Sequence, residues 1–417
     1  MNLYLFNAND GAAMYGLGTY LKEVTYALKD TAINIHIVHL HSTRQEFEIE
    51  VRQNARTNQV EHWYIPEVHD EDTFSGSVQK LEDYYHNVTY LLRLYIKDVK
   101  DLIFHFNFNQ CHCLAKELKM VFNCKTVATI HYFRWAFELH GNLSRLHALK
   151  MKSENQRNLS EQMLYKNDEY ESFLYKEADH IIALSPYTQT LLRDDYQVNP
   201  DKIVVIPNGL EDISPQMDTG KTILRRKWRI PEDEYIILFA GRLHAVKGIV
   251  YLIRAFRKVL EKIPNCRLMI AGHGNFDNYM KECEDIWMQV TWTGRVDKNK
   301  LFELYSISDI GVMPSLYEPF GYVAVEMMMH GLPIVATATS GLNEVVDDTC
   351  GLKVPIREYP DVEIDIDSLA EKILYLLQHS EEAKRLGVNG RQRYLEKYSL
   401  PVYRKNMLDF YNSIFPK

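Results

Sequence analysis

The sequence predicts an α/β protein made of two Rossmann-like, doubly wound halves. Three observations carry this expectation. The chain has 417 residues, which exceeds one ordinary domain and suits two of about 200 residues each. Short apolar runs rich in β-branched and aromatic residues alternate with helical periodicity, the pattern of parallel strands joined by crossover helices. The alternation breaks once, at Pro207-Asn208-Gly209 and the polar stretch 211–220, and then resumes.

Taken in order, the first half predicts strands over 3–6, 33–40, 60–65, 102–106, 126–130, 180–184 and 203–206. Helical periodicity falls over 19–28, 78–96, 110–120, 161–176 and 186–193. In the last of these, Pro186 suits a first turn, where its missing N–H has no helical partner. After the linker, strands are expected over 235–240, 267–271, 290–293, 309–313, 333–336 and 351–354. Helices are expected over 248–262, 275–286, 298–305, 320–330 and 366–379, and an amphipathic helix over 400–415. The predicted division is 1–207 with 399–417 against 208–398. Ligands of open parallel sheets bind at the carboxyl ends of the strands, so a cleft between two such halves is the expected site.

Composition narrows the function classes. The chain is 46% hydrophobic and 25% charged, the usage of a water-soluble globular protein. No run approaches the ~20 apolar residues of a membrane span. Residues 1–7 lack a basic region and a long apolar core, so they read as a first strand rather than a signal peptide, and a cytoplasmic location is expected. A net charge of −8 argues against bulk nucleic-acid binding. Six cysteines without a secretory leader imply free thiols. Cys111, Cys113 and Cys124 lie near His105 and His112, but their spacing fits no zinc pattern, and no metal site is expected.

Two segments carry the chemistry. In Phe239-Ala240-Gly241-Arg242-Leu243-His244-Ala245-Val246-Lys247-Gly248, a strand ends in glycine, two cations sit five residues apart in a loop, and a helix follows. An Arg fork and a Lys point charge beside a helix N-terminus suit a diphosphate. The same pair also fits an ordinary solvated loop. In Pro314-Ser315-Leu316-Tyr317-Glu318-Pro319-Phe320-Gly321, a strand end leads through Glu318 to a helix expected to begin near Phe320. The N–H groups of Phe320 and Gly321 would then lie free beside the Glu318 carboxylate. Glu326 falls in the apolar run 322–329, where an unpaired carboxylate would be costly.

Gly241-Arg242-x4-Lys247-Gly248, followed by Glu318-x7-Glu326 with Pro319-Phe320-Gly321, resembles glycosyltransferase family 4 and its GT-B relatives. Gly16-Leu17-Gly18, Pro207-Asn208-Gly209, Ala271-Gly272-His273-Gly274 and Thr293-Gly294-Arg295-Val296 extend the resemblance over nearly the whole chain. It implies a GT-B fold: two Rossmann-like domains facing a cleft, with the C-terminal helix crossing back to the N-terminal domain. It implies a retaining, metal-independent glycosyltransferase that uses a nucleotide-sugar donor and no cofactor. Arg242 and Lys247 would bind the donor diphosphate, Glu318 the hydroxyls of the transferred sugar, and Glu326 the ribose. The backbone of Arg295 and Val296 would meet the nucleobase. Gly241, Gly272, Gly16 and Gly18 would line the approach to donor or acceptor, although the last two equally fit a plain strand-to-helix turn. His131, at the end of strand 126–130, matches a catalytic histidine of the family. There an Asp often follows, whereas Tyr132 does here.

The acceptor is open: glycan, lipid, peptide or small molecule. Segment 135–170 departs from a compact βα unit, and its basic stretch 145–157 fits an anionic acceptor, peripheral membrane contact or a solvated helix. A sugar-nucleotide 2-epimerase of the same architecture is the nearest enzymatic alternative, and a non-catalytic nucleotide-sugar binding protein the alternative of another class. A glycan phosphorylase is disfavoured, since no pyridoxal-phosphate lysine context is identified.

Overall fold

The computed structural model describes residues 1–8, 16–53, 58–67, 78–97, 100–214, 220–358 and 360–415. In chain order the first half carries β1 (Asn2–Asn7), α1 (Gly16–Ala27), β2 (Asn34–Ser42), β3 (Glu48–Arg52), β4 (Val60–Pro66), α2 (Val78–Tyr95), β5 (Leu102–Phe106), α3 (His112–Val121), β6 (Cys124–Ile130), α4 (Arg134–Glu138), α5 (Leu143–Met151), α6 (Leu159–Glu177), β7 (His180–Ala183), α7 (Pro186–Asp194) and β8 (Ile203–Val205). The second half carries α8 (Lys221–Lys227), β9 (Tyr235–Ala240), α9 (Ile249–Leu260), β10 (Cys266–Ala271), α10 (Asp277–Glu282), β11 (Val290–Gly294), α11 (Lys298–Ile307), β12 (Ile310–Met313), α12 (Tyr322–Met329), β13 (Ile334–Thr337), α13 (Leu342–Val345), β14 (Gly351–Val354), β15 (Ile356–Arg357), β16 (Glu363–Ile364), α14 (Ile366–Gln378), α15 (Ser380–Arg393) and α16 (Leu400–Ile414).

Two compact units result. The first comprises Met1–Phe133, Glu154–Asn208 and Tyr403–Lys417; the second comprises Arg134–Ser153 and Gly209–Val402. This differs from the predicted division by a few residues at its boundaries, with Asn208 in the first unit and 399–402 in the second, and chiefly in segment 134–153, which groups with the second unit. The difference has a physical cause. Asn142 caps α5 by accepting from Arg145 N–H, its Nδ2 donates to the carbonyls of Glu358 and Pro360, and Arg145 pairs with Asp361 at 2.9 Å. These partners lie more than 200 residues away, beyond any local pattern.

In the first unit the strand order is β3-β4-β2-β1-β5-β6-β7-β8. All neighbours are parallel except β3, which runs antiparallel to β4 at the edge. Central strands covered on both faces read as unbroken apolar runs, and β5 is buried at every position. The expected strands all form. β3 was not anticipated, because Ile49 and Val51 stay exposed on it and no buried face marks it out. Polar pairs hold it instead: Arg44, in the loop before it, to Glu50 at 3.0 Å, and across the strands Arg52 to the Tyr64 hydroxyl at 2.7 Å.

The C-terminal helix closes the first unit. Arg404 donates to the carbonyls of Ala27 and Lys29 at 2.8 and 2.6 Å, covering the end of α1. Tyr411 lies fully buried, with its hydroxyl 2.7 Å from His105 Nδ1, and His105 Nε2 is 2.6 Å from Thr129 Oγ1. With both ring nitrogens occupied in a desolvated core, His105 stays neutral, its pKa pushed down to about 3 by burial.

The second unit holds a six-stranded parallel sheet of order β11-β10-β9-β12-β13-β14, the order of a doubly wound nucleotide-binding sheet. Its base is tied by Arg225, a buried guanidinium that donates to the carbonyls of Ile307 and Glu234 and pairs with Asp309 at 2.7 Å. Helix α15 escaped prediction because it is hydrophilic nearly all round, burying only Leu386, Gly387 and Gly390. Its Arg391 holds Asp212 at the start of the expected linker, of which residues 215–219 lie outside the described residues. Among the described residues, no helix is long and apolar enough to cross a membrane.

The neutral His105 has a measurable consequence. Its folded pKa lies below the ordinary value of about 6.5, so the unfolded chain binds the extra proton. Its contribution to stability is complete above pH 6.5 and is lost as the pH falls towards 3. Urea unfolding is expected to show a loss of about 2 kcal/mol from this residue between pH 6.5 and 5. In His105→Gln the pH slope should flatten by that amount, whatever the variant's stability at pH 7; an unchanged slope would show that His105 is protonated in the fold.

Candidate active site

In the second sheet β9 and β12 are neighbours, and their crossovers leave in opposite directions. Ligands of such sheets bind at the carboxyl ends of the two strands where the order reverses. After β9, Gly241 takes φ +151°, Arg242 is exposed, residues Ala245–Lys247 make a single 3₁₀ turn, and Gly248 at φ +65° starts α9. Only glycine fits at Gly248. A β-carbon there would lie 1.8 Å from the Pro314 carbonyl oxygen, so the two loops run backbone against backbone. Leu316 N–H donates to Val246 O at 2.8 Å and completes the join. After β10, a β-carbon on Gly272 would meet Gly241 O at 1.8 Å, which packs the third loop equally closely.

The β12 loop is held from the other side by the loop after β13. The Thr337 hydroxyl donates to Ser315 O, Thr339 to Leu316 O at 2.8 Å, and Ser340 both accepts from Glu318 N–H and donates to Glu318 O. Glu318 is thereby pinned at its backbone, and its carboxylate takes an ion pair from Lys247. The two side chains are only 12% and 16% exposed, so each charge depends on the other. Phe137, from α4, sets its ring edge-on to Tyr317 at 5.5 Å and lies 6.0 Å from the Arg242 guanidinium. Arg242, Lys247 and Glu318 thus share one corner of the second unit.

The helix after this loop starts later than expected. Gly321, at φ +100°, is the N-cap, and α12 begins at Tyr322 rather than Phe320. The N–H groups without an acceptor inside the helix are therefore those of the turn from Tyr322, not of Phe320 and Gly321. Pro319 and Phe320 belong to the approach, with Phe320 buried against Tyr398. Glu326 is the fifth helical residue and is 3% exposed. Its cost in this apolar helix is met by Tyr305, whose hydroxyl donates at 2.8 Å, and by an ion pair with Lys298. Gly294 (φ +66°), exposed Arg295 and half-buried Val296 form the turn after β11, and Asp297 caps α11 through Lys300 N–H at 2.9 Å.

In the first unit, His131 follows β6, part-buried, with Nε2 3.4 Å from Asn107 Oδ1 and its ring edge-on to Tyr20 at 4.6 Å. Burial pushes its pKa down to about 3, which leaves it neutral. Tyr20 belongs to α1, and Gly16, Leu17 and Gly18 form the first turn of that helix rather than a loop. Residues 9–15, which precede it, lie outside the described residues. Cys113 lies 3.1 Å from His112 Nε2 and 3.4 Å from Glu82, and burial raises its thiol pKa. All six cysteines are free. Among the described residues no group of three or more His, Cys, Asp or Glu side chains is arranged to hold a metal ion.

Several working residues were not read from the sequence: Lys298 and Tyr305 around Glu326, Ser340 behind Glu318, and Asn107 beside His131. A costly carboxylate in an apolar helix did signal that some partner exists for Glu326. Nothing local named which.

Comparison with known proteins agrees with this arrangement. Residues 14–212 match the family described as Glycosyltransferase Family 4, and residues 220–393 match Glycosyl transferases group 1. The chain belongs to the family 4 type of glycosyltransferases. An uncharacterized glycosyltransferase of Methanocaldococcus jannaschii is 33% identical over 243 residues, covering 56% of this family 4 chain and 60% of that one. Matches to the first curated relatives span between 41% and 60% of their length. Among solved structures, sucrose-phosphate synthase from Thermosynechococcus elongatus superposes with a TM-score of 0.75 at 22% identity, covering 100% of this chain and 99% of that one. Anabaena HepE in complex with UDP and glucose superposes with a TM-score of 0.70 at 16% identity, covering 99% and 100%. The shared fold is GT-B.

The loop geometry is testable at one atom. Gly248→Ala is expected to destabilise the second unit by at least about 1–3 kcal/mol from its left-handed backbone alone, and by more because the methyl group meets Pro314 O. Gly220→Ala, with open space around its β-carbon, is the control. Equal melting temperatures for the two variants would show that the loops do not touch as described.

Proposed function

We propose that the chain is a retaining glycosyltransferase that moves a sugar from a nucleotide diphosphate donor to an acceptor hydroxyl without a metal ion. The observation that carries this reading is the half-buried Lys247–Glu318 pair beside Arg242 at the switch point of a doubly wound sheet. The Lys247 ammonium has three protons, so it can keep Glu318 and still donate to a phosphate oxygen. Arg242 adds a planar fork that matches a second phosphate. Together they neutralise the charge that grows on the diphosphate as its bond to the sugar breaks, the work a divalent metal does in other sites. Glu318 accepts hydrogens from the sugar hydroxyls. Glu326 has lone pairs left over from Tyr305 and Lys298 for the ribose hydroxyls. The turn at Arg295 and Val296 meets the nucleobase, and neutral His131 hydrogen-bonds a hydroxyl of the transferred sugar. No enzymic nucleophile is assigned. The donor phosphate takes the acceptor proton on the same face, which preserves the anomeric configuration.

The HepE complex with UDP and glucose makes UDP-sugars the first donors to try. In a metal-free thermal-shift panel, one nucleotide-sugar is expected to raise the melting temperature selectively, and Arg242→Ala to abolish the shift. Turnover with that donor should fall at least ~100-fold in Lys247→Ala and in Glu318→Ala. Near-normal turnover in both variants, with the fold intact, would sink the assignment.

A further inference from the structure

The first sheet has its own switch point, between β1 and β5, and Asn107 sits on it. Its backbone N–H donates to Phe6 O at 3.1 Å, and its side-chain Nδ2 donates to the same oxygen at 3.3 Å. A carbonyl can only accept, so the amide nitrogen must face Phe6 and the amide oxygen must face the other way. That oxygen is the atom 3.4 Å from His131 Nε2. An amide oxygen also only accepts. The hydrogen between them therefore belongs to the imidazole.

We propose that Asn107 is a positioning residue that fixes His131 as the Nε2–H tautomer, so that Nδ1 presents a lone pair. This rests on the reading of His131 given above and deepens it: an imidazole lone pair accepts from a hydroxyl and does not attract an anion. The ring plane is set by Tyr20, which packs edge-on against it. Tyr20 is itself held deep in the unit. Its hydroxyl is 3.2 Å from Thr129 Oγ1, which is shared with His105 and through it with Tyr411. The C-terminal helix, which carries Tyr411, thus reaches Tyr20 through a chain of hydrogen bonds, and Tyr20 reaches the histidine through its ring. Among the described residues, the titratable groups facing His131 are His105 of β5 and Tyr20 of α1. Burial lowers the first to about 3 and raises the second to about 12, so neither charges near neutral pH.

The test is imidazole nitrogen NMR on the full chain, with the His131 signal assigned by its loss in His131→Gln. Wild type should show a pyrrole-type Nε2 and a pyridine-type Nδ1. Asn107→Ala should lose that preference, and kcat for transfer should fall about tenfold, the worth of one hydrogen bond, with the donor KM unchanged. Asn107→Asp keeps an acceptor, so the tautomer should survive. Its added carboxylate should raise the pH at which Nδ1 is protonated by about one to three pH units, giving an acidic limb to the rate profile that wild type lacks. An Nδ1–H tautomer in wild type, or an unaltered one in Asn107→Ala, overturns the proposal. Should the alanine variant fail to fold, an unmoved protonation pH in Asn107→Asp overturns it. Tautomer changes as expected with transfer unaffected would uphold Asn107's role and remove His131 from the reaction instead.

Discussion

The candidate site of the second unit depends on backbone packed directly against backbone where the sheet order reverses. At Gly248 and Gly272 the neighbouring carbonyl stands where a β-carbon would be, 1.8 Å away in both cases. No side chain can be inserted at either point, so the loops after β9, β10 and β12 have one way to stack. That stacking brings Lys247 to Glu318. Either charge alone in so sheltered a corner would be expensive, and each offsets the other. The threonine and serine hydroxyls after β13 clamp the Glu318 loop from behind, so its carboxylate does not have to be ordered when a ligand arrives.

The two units solve the same architectural problem with different chemistry. In the second, the strand ends carry ionic groups: Arg242, Lys247, Glu318, and Glu326 with Lys298. In the first, the corresponding region carries neutral hydrogen-bonding groups: Asn107, Asn109, and a histidine kept uncharged by burial. Charged groups suit phosphates and the charge that develops on them, whereas neutral donors and acceptors suit hydroxyls. The two sheets thus place groups of different chemistry at their reversal points, a difference the fold alone does not set, since it is shared by many activities.

Buried polar groups in the first unit form a chain rather than isolated pairs. Tyr411, His105, Thr129 and Tyr20 each satisfy the next, and the last touches His131. Every member is fully or nearly fully buried. Such networks specify one arrangement because a half-satisfied version is worse than an apolar core. Here the network links the C-terminal helix to Tyr20, whose ring packs edge-on against the His131 imidazole.

The sequence by itself determined both parallel sheets and the loops that carry Arg242, Lys247 and Glu318. Strand and helix periodicities are local, and a strand-loop-helix motif places its side chains within a few residues of a known strand end. It did not determine β3, which has no buried face, or α15, which has hardly any apolar stripe. It put the start of α12 two residues early, since a glycine cap at φ +100° is a conformational fact rather than a pattern. The tertiary structure alone decided that segment 134–153 belongs to the second unit, that Glu326 answers to Tyr305 and Lys298, and that Asn107 faces His131. Each of these joins residues more than 20 positions apart through one or two polar atoms. Composition and periodicity record which side chains need a partner; only the packed chain decides which partner lies within hydrogen-bonding reach.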